Sequence, residues 1–149
     1  MGTRSLTIFK ENDGTEIAVL YRQMDGYPSG HGKDLLGFLK DRQIVNGFRD
    51  GDDGNSNGMS NLVVQCISYL FKLFGEKVGN LYLHPAGTRD AGEDYTYTVY
   101  MNPEEIPTGY KRWENVFPLL KVESLGKVLY DGLAKDFNPQ MTEDLEDED

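Results

Sequence analysis

The segment "RSLTIFKENDGTEIAVLYRQ", residues 4–23, limits the fold more than any other stretch. Leu6 and Ile8 alternate with Ser5 and Thr7, the period of a strand with two unlike faces. Asp13-Gly14 follows in "NDGT" and supplies a tight hairpin turn, because glycine accepts positive φ without steric cost. The second arm runs from Glu16 to Gln23. It puts Ile17, Val19 and Tyr21 on one face and Ala18, Leu20 and Arg22 on the other. Both faces are largely apolar, so this arm is expected to be an inner strand, and the hairpin must be extended into a larger sheet.

The remaining pattern supplies that sheet and its cover. Leu35, Leu36, Phe38 and Leu39 form the apolar stripe of a helix over about residues 31–42, with Lys33, Asp34, Lys40 and Asp41 on the wet side. "LVVQCISYLFKLFG" is apolar nearly all round and ends at Gly75. It is expected to be the most buried helix, capped by Ser60 or Asn61 and packed against the sheet. "NLYLHP", "EDYTYTVYMN", "LLKVES" and "KVLYDG" read as strands, and "LAKDF" as a last helical turn. "PEEIPTGYKRWENVFP" reads as irregular. The expected class is α+β: an antiparallel sheet of about five strands with two helices packed on one face. Residues 1–140 form one domain in this reading, and residues 141–149 an acidic disordered tail.

Charge narrows the partners. The chain carries a formal net charge of −10, and its last eight residues, "TEDLEDED", hold six acidic groups. Duplex nucleic acid is not expected, because phosphate binding needs clustered Lys and Arg. Cys66 is the sole cysteine, so an intrachain disulfide and a Cys-based zinc site are both excluded, and Cys66 is expected to be a buried core thiol. No long apolar segment follows the start "MGTRSLTIF", and the apolar run Leu62 to Phe74 is too short and too polar to span a bilayer. A cytoplasmic protein without membrane association is expected.

Three polar segments are candidate sites. "QMDGYPSGHG" lies where a strand feeds a helix. Arg22 offers a fixed charge, Tyr27 a ring for stacking, Gly30 and Gly32 close backbone approach, and His31 a proton donor or acceptor. The segment matches neither the P-loop nor the dinucleotide fingerprint. The alternative is a plain turn at Asp25-Gly26-Tyr27-Pro28 with Ser29 as helix cap. "HPAGTRDAGEDYTY" places Arg89 beside Asp90 and Glu93, which fits either a salt-bridged turn or one wall of a cationic pocket. "DGDDGNSNG", residues 50–58, has oxygen donors but fails the EF-hand spacing, so no metal is expected. No nucleophile elbow occurs, and two histidines are too few for a hydrolytic metal cluster. A carboxylate pair from Asp25, Asp90 and Glu93 is left as a possible acid and base, although nothing in the spacing selects it.

"MGTRSLTIF", "YRQMDGYPSGHG", "NGMS" and "GTRDAGEDYTY" together resemble a group of small uncharacterised proteins of bacteriophages, bacteria and some large DNA viruses. The resemblance covers roughly residues 2–100 and is specific as a combination. It implies no activity, cofactor or catalytic residue. It does place Arg4, Arg22, Gln23, Asp25, Tyr27, Gly30, Gly32, Asn57, Arg89, Asp90 and Glu93 in recurring stretches. Several of these stretches are polar and glycine-rich, and a pocket can be built in fewer ways than a turn, which favours binding. The resulting expectation is a phage or mobile-element accessory protein, in the host cytoplasm if viral, that binds a compact anionic ligand, nucleotide-like in the first instance. The ligand would sit between residues 21–32 and 87–95, with Arg22 and Arg89 pairing the anion and Asp25, Tyr27, Gly30, His31, Gly32, Asp90 and Glu93 around it. Two alternatives stand beside it: an acidic interaction module that inhibits a host factor, and a small hydrolase or transferase using His31 or Asp25 as base.

Overall fold

The computed structural model describes residues 2–102 and 116–140. The acidic tail and most of the proline-bearing stretch that begins at Pro103 lie outside them. The expected hairpin forms from β1 (Ser5–Lys10) and β2 (Glu16–Arg22). They pair antiparallel, Ser5 opposite Arg22 and Ile8 opposite Val19, with a register shift between Phe9 and Lys10. The turn residue Gly14 has φ +90°, as a tight Asp-Gly turn requires.

Four further strands complete the main sheet: β5 (Leu81–His84), β6 (Tyr95–Tyr100), β7 (Leu119–Ser124) and β8 (Lys127–Leu133). The order is β5-β2-β1-β6-β7-β8, six strands where about five were expected, and β2 is an inner strand as its two apolar faces require. One pairing departs from the antiparallel expectation. β1 runs parallel to β6, with Ser5 opposite Tyr95 and Phe9 opposite Val99. Residue alternation cannot reveal this, because it defines faces and not strand direction. A separate two-stranded parallel pair joins β3 (Ile44–Val45) and β4 (Ser56–Asn57), in a region that reads from sequence as loop.

The helices are α1 (Lys33–Leu39), entered through a π-type turn at Pro28–Gly32, and α2 (Gly58–Leu70), continued by a second π-type turn at Phe71–Gly75. α2 starts earlier than its apolar run, with Asn57 in the cap position instead of Ser60 or Asn61. Nor is it buried all round. Met59, Leu62, Val63, Cys66 and Leu70 face the core, while Val64 is exposed.

The sheet has two unlike faces. On the first, Phe9, Leu20, Tyr95, Tyr97, Val99, Leu120 and Val122 join Leu35, Leu39, Leu62, Cys66 and Leu70 in the main core. On the second, Leu6, Ile8, Val19 and Tyr21 make a smaller cluster, with Ala91 packed against it. Burial removes apolar area from water at roughly 25 cal/mol per Å², so the larger cluster carries most of the hydrophobic stabilisation. No helix among the described residues is long and apolar enough to cross a membrane.

Candidate functional site

The glycine loop after β2 is packed against the chain's own backbone. The Gly26 N–H donates to the Thr3 carbonyl at 2.9 Å. A Cβ on Gly26 would stand 2.8 Å from the Arg4 backbone, and one on Gly30 would come within 3.0 Å of the Asp25 carbonyl oxygen, nearer than side chains tolerate. A Cβ on Gly32 would press on the rings of Phe137 and Tyr97 at 3.3 and 3.4 Å. Asp25 holds φ +62°, and its carbonyl accepts the His31 N–H at 2.8 Å, while the Tyr27 carbonyl accepts that of Gly30. The Gly30 and His31 N–H groups, at the close-approach loop expected to hold an anion, are therefore already used within the turn.

Arg22 and His31 lie on the first face, inside the fold. Arg22 is 4% exposed and His31 is fully buried. Arg22 Nη1 donates to Asp34 Oδ2 at 2.8 Å and to His31 Nδ1 at 3.2 Å. Its guanidinium carbon sits 3.6 Å from the centroid of the Phe74 ring. A guanidinium only donates, so His31 Nδ1 must be the acceptor and Nε2 must carry the proton. That proton is donated to Thr7 Oγ1, 2.6 Å away. Burial first, and the Arg22 charge second, push the imidazole pKa down to about 3, so it is neutral near pH 7. The ring meets Tyr97 edge to face at 4.9 Å, and the Tyr97 hydroxyl donates to the Gly26 carbonyl at 2.7 Å. Burial holds the Tyr97 hydroxyl well above its usual pKa. A neutral imidazole with both nitrogens engaged and no exposed surface has no access to a solvent-borne substrate, which removes it as a general base.

Arg89 is elsewhere. It grips Glu16 at the start of β2 through both terminal nitrogens, and Glu16 also accepts the Gly87 N–H at 2.5 Å. These contacts, the Arg89 hydrogen bond first, hold the Glu16 carboxyl below its usual pKa. Arg89 borders the second face. The expected pocket between Arg22 and Arg89 is therefore absent: each arginine is locked to its own carboxylate, and the sheet lies between them. Asp90 has φ +57°, and its N–H donates to Glu93 Oε1 at 3.2 Å, so these two residues shape the turn. Asp25 accepts the Tyr27 hydroxyl at 3.1 Å and lies 3.9 Å from Arg22.

The segments around Arg4, Gln23 and Asp94 do meet, at another place. Asp94 accepts the Arg4 N–H at 2.9 Å and returns its own N–H to the Arg4 carbonyl at 2.8 Å. Gly92, at φ +81°, lies against the Arg4 guanidinium, and Gly2 lies against the Gln23 carbonyl. Residues 2–5, 23–26 and 92–95 thus form one seam at the end of β1, β2 and β6.

One accessible hollow lies on the second face. A cavity of about 450 Å³ is lined by Lys10, Arg89, Thr96, Thr98, Tyr100 and Lys121, together with Ile8, Glu123, Gly126 and Asp131. Lys121 is 3.7 Å from Glu123, and the Tyr100 hydroxyl donates to Asp131. Burial first, then this hydrogen bond, raises Tyr100 to about 12, so it stays a protonated donor. Lys10 has no carboxylate within 4.0 Å among the described residues. Sequence alternation does place Thr96, Thr98 and Tyr100 on one face, but only the strand order brings Lys10 and Lys121 beside them. No group of three or more His, Cys, Asp or Glu side chains placed to hold a metal ion occurs among the described residues. Comparison with family models, curated proteins and solved structures gave no match.

Proposed function

We propose that the protein is a small accessory binding protein of phage or mobile-element character, acting in the cytoplasm. Its ligand is a compact anion, nucleotide-like or a phosphorylated sugar, held on the second face of the sheet. Both helices pack on the first face in this reading, which leaves the second without a helix among the described residues. One observation supports it: in a chain of net charge −10, three cations, Lys10, Arg89 and Lys121, line one hollow with the hydroxyls of Thr96, Thr98 and Tyr100 and only two carboxylates, Glu123 and Asp131. Lys10, with no carboxylate within 4.0 Å among the described residues, supplies a local attraction beside Glu123 and Asp131, and the Thr96 and Thr98 hydroxyls orient the ligand. Titration calorimetry with nucleotides, sugar phosphates and inorganic phosphate tests it. The expected result is saturable binding that weakens about tenfold, or ~1.4 kcal/mol, in Lys10→Ala and again in Lys121→Ala. Absence of binding by every anion, or equal binding by the double variant, overturns it.

The second reading, an interaction module that acts on a host protein, is favoured by a separate observation. Phe48, Phe71, Leu73 and Val78 are exposed apolar residues in a charged molecule. Recovery of one host protein by the native chain and not by a Phe71→Ser/Leu73→Ser variant would support it over ligand binding.

A further inference from the structure

A second cavity, of about 700 Å³, lies between the residue 46–57 loop and the start of α2. Its polar wall includes three asparagines, Asn55, Asn57 and Asn61. Each has its side-chain oxygen committed to a backbone donor. Asn57 Oδ1 accepts the Gly47 N–H at 2.9 Å, Asn61 Oδ1 accepts the Asn57 N–H at 2.9 Å, and Asn55 Oδ1 accepts the Gln43 N–H at 3.3 Å. A backbone N–H can only donate, so in each amide the oxygen is the bonded atom and the NH₂ is what remains. The adjoining Gln65 is turned inward. Its oxygen accepts from Ser56 at 2.5 Å and from Arg42 at 3.0 Å, and its nitrogen donates to the Asn55 carbonyl at 3.2 Å. The fold has thus fixed three amides in one sense, as an array of donors.

The same cavity has apolar and accepting walls. Phe48 is 76% exposed and Val64 is 67% exposed, and both line it, with Val45 at its base. Large apolar groups left in water beside a hollow are a surface that a flat apolar partner covers with gain. Asp53, also in the lining, makes no hydrogen bond or ion pair among the described residues, so its carboxylate is an open acceptor. Asp52 adds a second carboxylate, bound through Oδ2 to the Arg49 N–H at 2.6 Å. A ligand that fits all three walls is planar and apolar on its face, with carbonyl or ring-nitrogen acceptors along one edge and N–H or O–H donors along another. Two carboxylates against the one guanidinium of Arg49 make the site unfavourable for a second negative charge.

We propose that this cavity binds an uncharged nucleobase or nucleoside, its ring between Phe48 and Val64, its acceptor edge on the amides of Asn55, Asn57 and Asn61, and its donor edge on Asp53. This site is independent of the anion site on the sheet and does not rest on it.

The test is titration of the full chain with guanosine, adenosine, uridine and cytidine and their 5′-monophosphates, followed by ¹⁵N-resolved NMR. Saturable shifts confined to residues 45–65 are expected from at least one nucleoside, with its monophosphate weaker at these residues. The discriminating variants are Asn57→Asp and Asn61→Asp. An aspartate still accepts the Gly47 or Asn57 N–H, so the local turn is kept, while the donor is replaced by an acceptor. Loss of tenfold or more in nucleoside affinity with an unchanged melting temperature supports the proposal. Phe48→Ala, at an exposed position, is expected to weaken binding by a similar factor and covers the case in which the aspartate variants fold poorly. Lys10→Ala should leave nucleoside binding intact. No saturable shift from any nucleoside, or full affinity in Phe48→Ala, overturns the assignment, as does equal affinity in both aspartate variants when they fold. Shifts that map only to Lys10, Thr98 and Lys121 would assign the ligand to the sheet face and also overturn it.

Discussion

Arg22 ends β2 and Arg89 reaches the start of the same strand, yet their guanidinium groups live in opposite surroundings. The Arg22 side chain is 5% exposed, held by Asp34 and His31 and roofed by Phe74, whereas that of Arg89 is 43% exposed and clasps Glu16 in water. The same charge therefore has two values. A buried ion pair is costly to break because the survivor stays desolvated, while an exposed one is screened and loosely held. The comparison teaches that the glycine loop after β2 is architecture, and that binding must be sought where cations remain in contact with solvent.

The largest effect expected is at Arg22. Arg22→Ala should cost roughly 3–5 kcal/mol in urea unfolding, since Asp34 and His31 lose a buried partner. A loss below about 1 kcal/mol, the range of a surface pair, would erase the contrast with Arg89.

Acid should probe the same cluster. His31 has a folded pKa of about 3 against an ordinary 6.5. Above pH 6.5 the imidazole is neutral in both states and adds no pH dependence. Below it, the unfolded chain takes up a proton that the native state refuses, so stability falls as pH falls, at up to ~1.4 kcal/mol per pH unit, until the native ring titrates. Unfolding measured over the first pH unit below 6.5, before most carboxylates respond, should show this slope in the native chain and not in His31→Gln.

Gly30→Ala sharpens the architectural side of the contrast without touching a charge. The new methyl has no room against the Asp25 carbonyl, and a loss of about 1–3 kcal/mol is expected in thermal unfolding. Gly47→Ala, where nothing lies near the added carbon, separates steric crowding from backbone strain, because only the strain of φ +83° remains there. Smallest of all is Arg89→Ala, expected to change stability by less than about 1 kcal/mol. Its effect should appear in anion titration, where the cavity loses one of its three cations.

Much of this was legible in the chain. The Asp-Gly turn, the two apolar faces of β2 and the alternation of β6 lead to a hairpin inside a larger sheet. Even the burial of Arg22 was available, since it shares a face with Ala18 and Leu20 on an inner strand, and an inner strand has no wet side. What alternation hides is direction and neighbourhood. It cannot show that β6 runs parallel to β1, nor that Lys10 and Lys121 flank the same hydroxyls. It also missed the short pairing of Ile44–Val45 with Ser56–Asn57, because two-residue strands carry no period. The three oriented asparagines were invisible for the same reason: their meaning lies in which backbone N–H each one meets.

The parallel pairing of Ser5 with Tyr95 joins residues ninety positions apart. During synthesis the first hairpin leaves the ribosome early and must wait, one flank uncovered, until its mate has been made. Contacts of such long range slow folding and leave open strand borders exposed to foreign strands. Nascent chains halted before Tyr95 should therefore be prone to aggregate or to recruit chaperones, and those extended past Ser124, which can close the centre of the sheet, should not.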